Sequence, residues 1–275
     1  MTLQENNAIG ILDIEKGEFT RLVGFGFKDH SLPGNGLDAS ANWPVFGMYI
    51  PDAIDSYHVG GTTYLVMANE GDTRDYPGFN EEIRVGAGGY VLDPAVFPNA
   101  STLKLDANLG RLTANSTLGA KESDSDMQFE RIFVPGARSF SIRSAEGELV
   151  YDSGDAFEKI IEARAPALFN SDGTPASFDT RSDNKGPEPE AVVIGKVFGR
   201  TYVFIGLERA GGIMVYDISN PFEPFFVDYV NTSPLDIAPE GLVFIKEDES
   251  PNGKALIVVS HEVSNTTTIF EINKD

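Results

Sequence analysis

Residues 189–208, Pro189-Glu-Ala-Val-Val-Ile-Gly-Lys-Val-Phe-Gly-Arg-Thr-Tyr-Val-Phe-Ile-Gly-Leu-Glu208, are two β-rich runs broken by a turn at Gly199, with an acid near each end. The pattern recurs. Pro51-Asp-Ala-Ile54 leads through Gly60-Gly61 to Glu70, and Pro239-Glu-Gly-Leu242 leads through Pro251-Asn-Gly253 to Glu262. The separations between the first acid and the closing glutamate are 18, 18 and 22 residues, and the midpoint of each falls on turn chemistry. A hairpin register centred on the turn predicts that Asp52 faces Glu70, Glu190 faces Glu208 and Glu240 faces Glu262.

A second element is an aliphatic or aromatic run ending in an acid: Ile11-Leu-Asp13, Val91-Leu-Asp93, Val150-Tyr-Asp152, Val215-Tyr-Asp217 and Ile269-Phe-Glu271. The acids lie 80, 59, 65 and 54 residues apart, a period suited to four-stranded modules with insertions. The predicted fold is all-β, a β-propeller forming an incomplete ring of about four to five blades, in one region spanning residues 1–275. A β-sandwich is the rival. The best-formed blade is expected at Val192–Val197, Tyr202–Leu207, Ile213–Ile218 and Phe225–Tyr229. Ile9–Ile14 and Thr20–Phe27 are expected as the third and fourth strands of a blade lacking its first two, and the chain stops after a third strand at Ile272. The expectation is therefore the C-terminal part of a longer propeller, with open blade edges available for self-association. One helix is expected, from Asp155 to Arg164, ended by Pro166. Polar Gly/Ser/Asp-rich loops are expected around Asn35–Asn42, Asn99–Ser116, Glu122–Asp126 and Asn170–Asn184, and Trp43-Pro44 as packing.

Composition narrows the chemistry. Asp and Glu outnumber Lys and Arg 42 to 21, a formal charge of −21 that disfavours nucleic acid and anionic membrane. No apolar run is long enough for a transmembrane helix. The absence of cysteine excludes disulfides, thiolate metal sites and a cysteine nucleophile, and only His30, His58 and His261 offer imidazole. Neither a Gly-x-Ser-x-Gly elbow, nor a Gly-x-x-x-x-Gly-Lys loop, nor His-Glu-x-x-His occurs. Asp124-Ser-Asp126 opens like a calcium loop, but Phe129 stands where an EF-type loop needs glycine.

Like charges directly opposite one another in a hairpin are destabilising, so the facing acids require an offset. A cation, a neighbouring Arg or Lys, protonation or open water would each supply one. In a propeller the innermost strands converge on the axis. Asp52, Glu70, Asp72, Glu190, Glu208, Glu240 and Glu262 are then candidate ligands of Ca²⁺ at one mouth of the channel. Arg74, Arg181, Lys185, Arg209 and His261 stand beside them in sequence, candidates to hold phosphate or an acidic polysaccharide. Such bases would equally serve as internal ion-pair partners. A metal-dependent phosphoesterase, with carboxylates holding the metal and these bases the phosphate, is the catalytic alternative.

The runs Ala68-Asn-Glu-Gly-Asp-Thr-Arg-Asp-Tyr76, Leu149-Val-Tyr-Asp-Ser-Gly154, Phe178-Asp-Thr-Arg-Ser-Asp-Asn-Lys-Gly-Pro-Glu-Pro-Glu190, Phe204-Ile-Gly-Leu-Glu-Arg-Ala-Gly-Gly-Ile-Met-Val-Tyr-Asp217 and Ser264-Asn-Thr-Thr-Thr-Ile-Phe-Glu-Ile272 resemble the choice-of-anchor I domain. That bacterial surface family is related to mesenchyme-specific cell-surface glycoproteins of biomineralising animals. The resemblance implies a seven-bladed, YVTN-like propeller that is secreted or held at the cell surface or envelope, with some relatives called alkaline phosphatases. Its members are usually longer, with a signal peptide, earlier blades and a C-terminal anchor, and it supplies no catalytic residues to carry over. The leading expectation is a non-catalytic extracellular or envelope protein that binds Ca²⁺ and contacts mineral, polysaccharide or protein. A phytase-like or alkaline-phosphatase-like hydrolase is second.

Overall fold

A computed structural model describes residues 1–39, 41–121 and 127–274. The chain is all-β, with several small sheets and no closed barrel among the described residues. Asp124-Ser-Asp126 and the loop expected at 122–126 lie outside them.

Four antiparallel sheets follow one another along the chain. The first orders Thr2–Leu3, Ala8–Asp13 and Glu18–Gly24; the second Ile54–Val59, Thr62–Asn69, Ser139–Ser144 and Leu149–Asp152. The third orders Pro189–Val197, Arg200–Leu207, Ile213–Asp217 and Phe225–Val230; the fourth Pro239–Ile245, Leu256–His261 and Thr266–Glu271. The third matches the expected four-stranded module within a few residues at each boundary. In the first sheet, Thr2–Leu3 pairs with Ala8 and Ile9, so a short strand precedes the two expected there. Phe27, expected to end that module, instead opens a separate strand, Phe27–Asp29.

Alternation along the strands explains how the sheets stack. Successive side chains point to opposite faces. In Thr62–Asn69, Leu65 and Met67 meet Ile9 and Phe25 of the N-terminal segment, while Tyr64, Val66 and Ala68 pack with Val203, Ile205 and Leu207 of the third sheet. In Arg200–Leu207 the remaining face carries Phe204, which packs with Ile257, Val259 and Phe244 of the fourth sheet. The second and third sheets are thus covered on both faces, which is why their central strands read as nearly continuous apolar runs. Leu12, Phe19 and Leu22 of the first sheet and Val243 and Ile269 of the fourth stay exposed. The expected helix forms as Ala156–Arg164, burying Phe157 and Ile161 between the second and third sheets.

Between Asn69 and Ser139 the chain leaves the second sheet and builds a satellite. Ile132–Pro135 runs parallel to Val45–Met48, and Glu82–Arg84 pairs with Thr113–Asn115. Leu37, Val45, Tyr90, Leu109, Phe129 and Ile132 form its separate core. Val91-Leu-Asp93, counted as a repeat by pattern, belongs here: Val91–Leu92 pairs in parallel with Gln128–Phe129 and joins none of the four sheets. The loop expected at Asn99–Ser116 contains the helical turn Ala100–Leu103 and strand Thr113–Asn115.

The false copy shares the physical cause of the true ones. Asp13 Oδ1 accepts the backbone N–H of Glu15, Asp93 Oδ1 that of Ala95, Asp152 Oδ1 that of Gly154 and Asp217 Oδ1 that of Ser219. Each acid closes an Asx turn at a strand end. The motif records turn chemistry, which either a large sheet or a two-residue bridge can use.

Candidate functional site

The three Pro–acid repeats share a backbone device. The residue before each proline takes a left-handed conformation: Ile50 at φ 43°, Glu188 at 52° and Ala238 at 63°. All three are buried to within 1%. Their carbonyls accept the N–H of Gly71, Glu208 and Glu262 respectively. In the third and fourth sheets the register then shifts by one residue, between Pro189 and Val192 and between Pro239 and Gly241. Glu190 and Glu240 therefore sit on β-bulges, where an extra residue re-aims a side chain. The expected face-to-face pairing is corrected accordingly: Glu208 lies opposite Glu188, Glu262 opposite Ala238, and the bond to Ile50 comes from Gly71 rather than Glu70. A register extrapolated from the turn misses bulges because they add a residue without changing the hydrophobic alternation.

The bulges nevertheless gather acids. One carboxylate oxygen each from Glu70, Glu190 and Glu208 lies within 4.8 Å of the others. Glu240 adds negative charge at both Glu190 and Asp52, and Asp72 adds more at Asp52 and Glu70. Six of the seven proposed ligands thus occupy one neighbourhood. Glu262, exposed on the fourth sheet, contributes only its backbone N–H to the shared device.

Lys185 is the principal counter-charge. Its Nζ lies 2.6 Å from Glu70 Oε1, 2.9 Å from Glu188 Oε2 and 3.5 Å from Asp72 Oδ1. Burial pushes this ammonium down, but Glu188 and Glu70 more than offset it and hold it above the usual lysine range. Glu188 is completely buried and pairs with Lys185, Arg181 and Arg209; despite burial, Lys185 and Arg181 keep it ionised below its ordinary value. Arg209 also reaches Glu208, with Nη2 2.8 Å from Oε1. From the first turn of the chain, Gln4 Nε2 donates to Glu70 Oε2 at 2.5 Å.

These cations do not balance the site. Burial pushes Glu70 up to about 7 even with Lys185 against it. Glu190 is raised further by burial and by its hydrogen bond to Glu208, whose own carboxyl burial also raises. The two carboxyl groups titrate as a coupled pair, each opposing the charge of the other. Burial raises Asp52 too, reinforced by Glu240 and Asp72.

The other candidate arginines, Arg74 and Arg181, are engaged within the chain. Arg74 pairs with Glu81 at 3.0 Å and lies over the Phe79 ring, away from the three glutamates. Arg181 pairs with Glu188 and reaches Asp172 at 3.7 Å. His261 is buried, with neither ring nitrogen hydrogen-bonded among the described residues, and burial lowers its basicity while Asp236 opposes that. The arrangement can exchange a proton or a cation; an anion clamp would require Arg181, Lys185 and Arg209 to leave carboxylates.

Gln4 and Glu188 were not among the candidate ligands. No local pattern links Gln4 to Glu70, 66 residues away. Glu188 does carry a signal, because it stands where the other repeats place the apolar Ile50 and Ala238.

Two relatives place this geometry in context. Gigasin-3a of Magallana gigas is 26% identical over 193 residues, covering 62% of this chain and 67% of the relative. The mesenchyme-specific cell surface glycoprotein of Strongylocentrotus purpuratus is 27% identical over 205 residues, covering 62% of this chain; the match spans only 26% of that longer protein. Residues 1–221, which hold the first two sheets, three strands of the third and the three clustered glutamates, match the family model itself, and the chain belongs to the choice-of-anchor I domain family.

Proposed function

We propose that this chain is part of an extracellular or surface-associated β-propeller that binds Ca²⁺ through Glu70, Glu190 and Glu208. Family membership and a relative named as a cell-surface glycoprotein support the location. The consecutive face-to-face packing of four meander sheets supports their assignment as blades. Mineral or polysaccharide contact belongs to the same proposal, as does self-association through the apolar outer faces of the first and fourth sheets.

The observation that carries the cation reading is the convergence of three carboxylates within 4.8 Å, beside a single buried lysine. Two oxygens on one Ca²⁺ can be at most about 4.6–5.2 Å apart, so three oxygens lying within 4.8 Å of one another are compatible with a Ca²⁺ shell. Mg²⁺ demands near-ideal octahedral geometry and dehydrates reluctantly, whereas Ca²⁺ accepts an irregular set of carboxylates. Binding would favour the charged forms of Glu190 and Glu208, whose carboxyl groups burial raises, and draw Glu70 away from Lys185. The phosphoesterase alternative gains no support, because Arg74, Arg181, Lys185 and Arg209 each hold a carboxylate of this chain.

The test is calorimetric titration and thermal unfolding with Ca²⁺ or Mg²⁺ at roughly 1–10 mM. Wild type should bind Ca²⁺ in preference to Mg²⁺ and gain about 2.7 kcal/mol of stability at a hundredfold excess over Kd. Glu190→Gln and Glu208→Gln should lose that gain while remaining folded. Absence of binding heat and of any Ca²⁺-dependent shift in wild type would overturn the proposal.

A further inference from the structure

A second recess lies where the satellite meets the 179–183 loop. Two adjoining cavities of about 280 and 340 Å³ share Asp106, Arg111 and Asp183 in their linings, making one continuous polar groove. The first also contains Trp43, the chain's single tryptophan. Its ring is half-buried and backed by the satellite core, so the packing expected of Trp43-Pro44 accounts for only part of its surface. The remainder faces the groove.

The groove carries both signs of charge. Arg84 and Arg111 converge on Asp183, Arg111 at 2.5 Å and Arg84 at 3.7 Å. Asp106 and Asp179 are exposed and form no ion pair among the described residues. A strongly acidic ligand would meet these carboxylates and the chain's charge of −21, whereas a basic peptide would meet two guanidinium groups. A neutral ligand with many adjacent hydroxyls suits both. Each hydroxyl can donate to an aspartate and accept from an arginine. Trp43 offers an apolar platform for the C–H face of a sugar ring, held in place from behind at little entropic cost.

We propose that this groove binds a neutral pyranose oligosaccharide, with one ring on Trp43 and the next between Asp106 and Arg111. The site is separate from the glutamate cluster and does not depend on the cation reading. The 179–188 segment reaches both, giving Asp179 and Asp183 to the groove and Lys185 and Glu188 to the cluster.

Because Trp43 is the only tryptophan, its emission reports on this groove alone. The intact chain is titrated with neutral gluco-, galacto- and N-acetylglucosamine oligomers, with oligogalacturonate and oligolysine as charged comparators. Binding is followed by fluorescence and calorimetry. At least one neutral oligomer should change the emission and release heat, with neither comparator matching it. Trp43→Phe, which keeps an aromatic ring against the satellite core, should weaken binding about tenfold by calorimetry at nearly unchanged melting temperature. Asp106→Asn, at an exposed position, should weaken it several-fold and leave folding intact. No response to any neutral oligomer at millimolar concentration, stronger binding of a charged comparator, or full binding by both variants would overturn the proposal.

Discussion

Glu190 and Glu208 bring carboxylate oxygens within 4.8 Å of one another across a strand bulge, and burial raises both carboxyl groups, with the charge of Glu208 raising Glu190 further. Glu70 supplies a third carboxylate from a different sheet. The fold therefore places acid against acid at a junction of sheets, where well-packed apolar residues would stabilise it more.

The first consequence is a pH dependence with a definite sign. Glu70 titrates at about 7 in the folded chain against an ordinary 4.5, so the folded state binds this proton more tightly than the unfolded state does. Its contribution to stability is fully present below 4.5 and is lost as pH rises through 7. Metal-free melting temperature should therefore fall over that window, with the Glu190–Glu208 pair extending the decline to higher pH. Added Ca²⁺ should oppose it increasingly as pH rises. Glu190→Gln should flatten the upper part of the curve and raise metal-free stability at pH 8 by about 1 kcal/mol, some 2–4 °C. Thermal scans from pH 4 to 9 check both effects; a melting temperature rising across the Glu70 window would contradict them.

Lys185 should be the most sensitive single position in the cluster. Lys185→Met removes the ammonium facing Glu70 and Glu188, leaving Glu188 to its arginines. Breaking a buried pair from one side costs about 3–5 kcal/mol. Urea denaturation should show that loss without metal. Ca²⁺ should restore part of it, because the added positive charge serves the same carboxylates.

Backbone crowding beside Glu70 gives a different handle. At Gly71, with φ 109°, an added Cβ would lie 2.4 Å from Gly136 Cα; at Gly136 it would lie 2.7 Å from the Glu70 carbonyl. The two chain segments cross with no room for a methyl group. Gly71→Ala should cost about 2–4 kcal/mol and displace Glu70, lowering Ca²⁺ affinity in whatever fraction folds. Gly60→Ala, at a hairpin turn with open space around it, should leave Ca²⁺ affinity unchanged. Melting temperature and calorimetry on both variants separate a local strain cost from a site effect.

Arg143 tests the seam between the first two sheets. Its guanidinium is buried between the Phe25 ring at 4.1 Å and the Tyr49 ring at 4.5 Å, and Nη1 donates to the Gly147 carbonyl. A planar cation stacks in this slot, whereas a tetrahedral ammonium cannot. Arg143→Lys should lower stability by about 1–2 kcal/mol in denaturant titration. Its Ca²⁺ affinity should match wild type, since the slot lies away from the three glutamates.

Much of this architecture is written in local pattern. Alternation gives the strands, Gly60-Gly61 and Phe198-Gly199 give two-residue turns at left-handed φ, and Phe157 with Ile161 gives the buried stripe of the helix. The recurring acids mark five members of the cluster before any geometry is known, and Asp72 stands two residues from one of them. Pattern also misleads where one local device serves two settings: the Asx turn at Asp93 looks like those at Asp152 and Asp217 but belongs to the satellite.

What residue order determined by itself is the all-β class, the hairpins and the identity of the repeating acids, because these follow from propensities and contacts a few residues apart. Tertiary structure alone decided which acids meet, that Lys185 stands among them, that Gln4 reaches Glu70 and that Glu262 stays apart. Those outcomes rest on single-residue bulges and on sheets brought together from distant parts of the chain, and neither alters the spacing of apolar side chains along a strand.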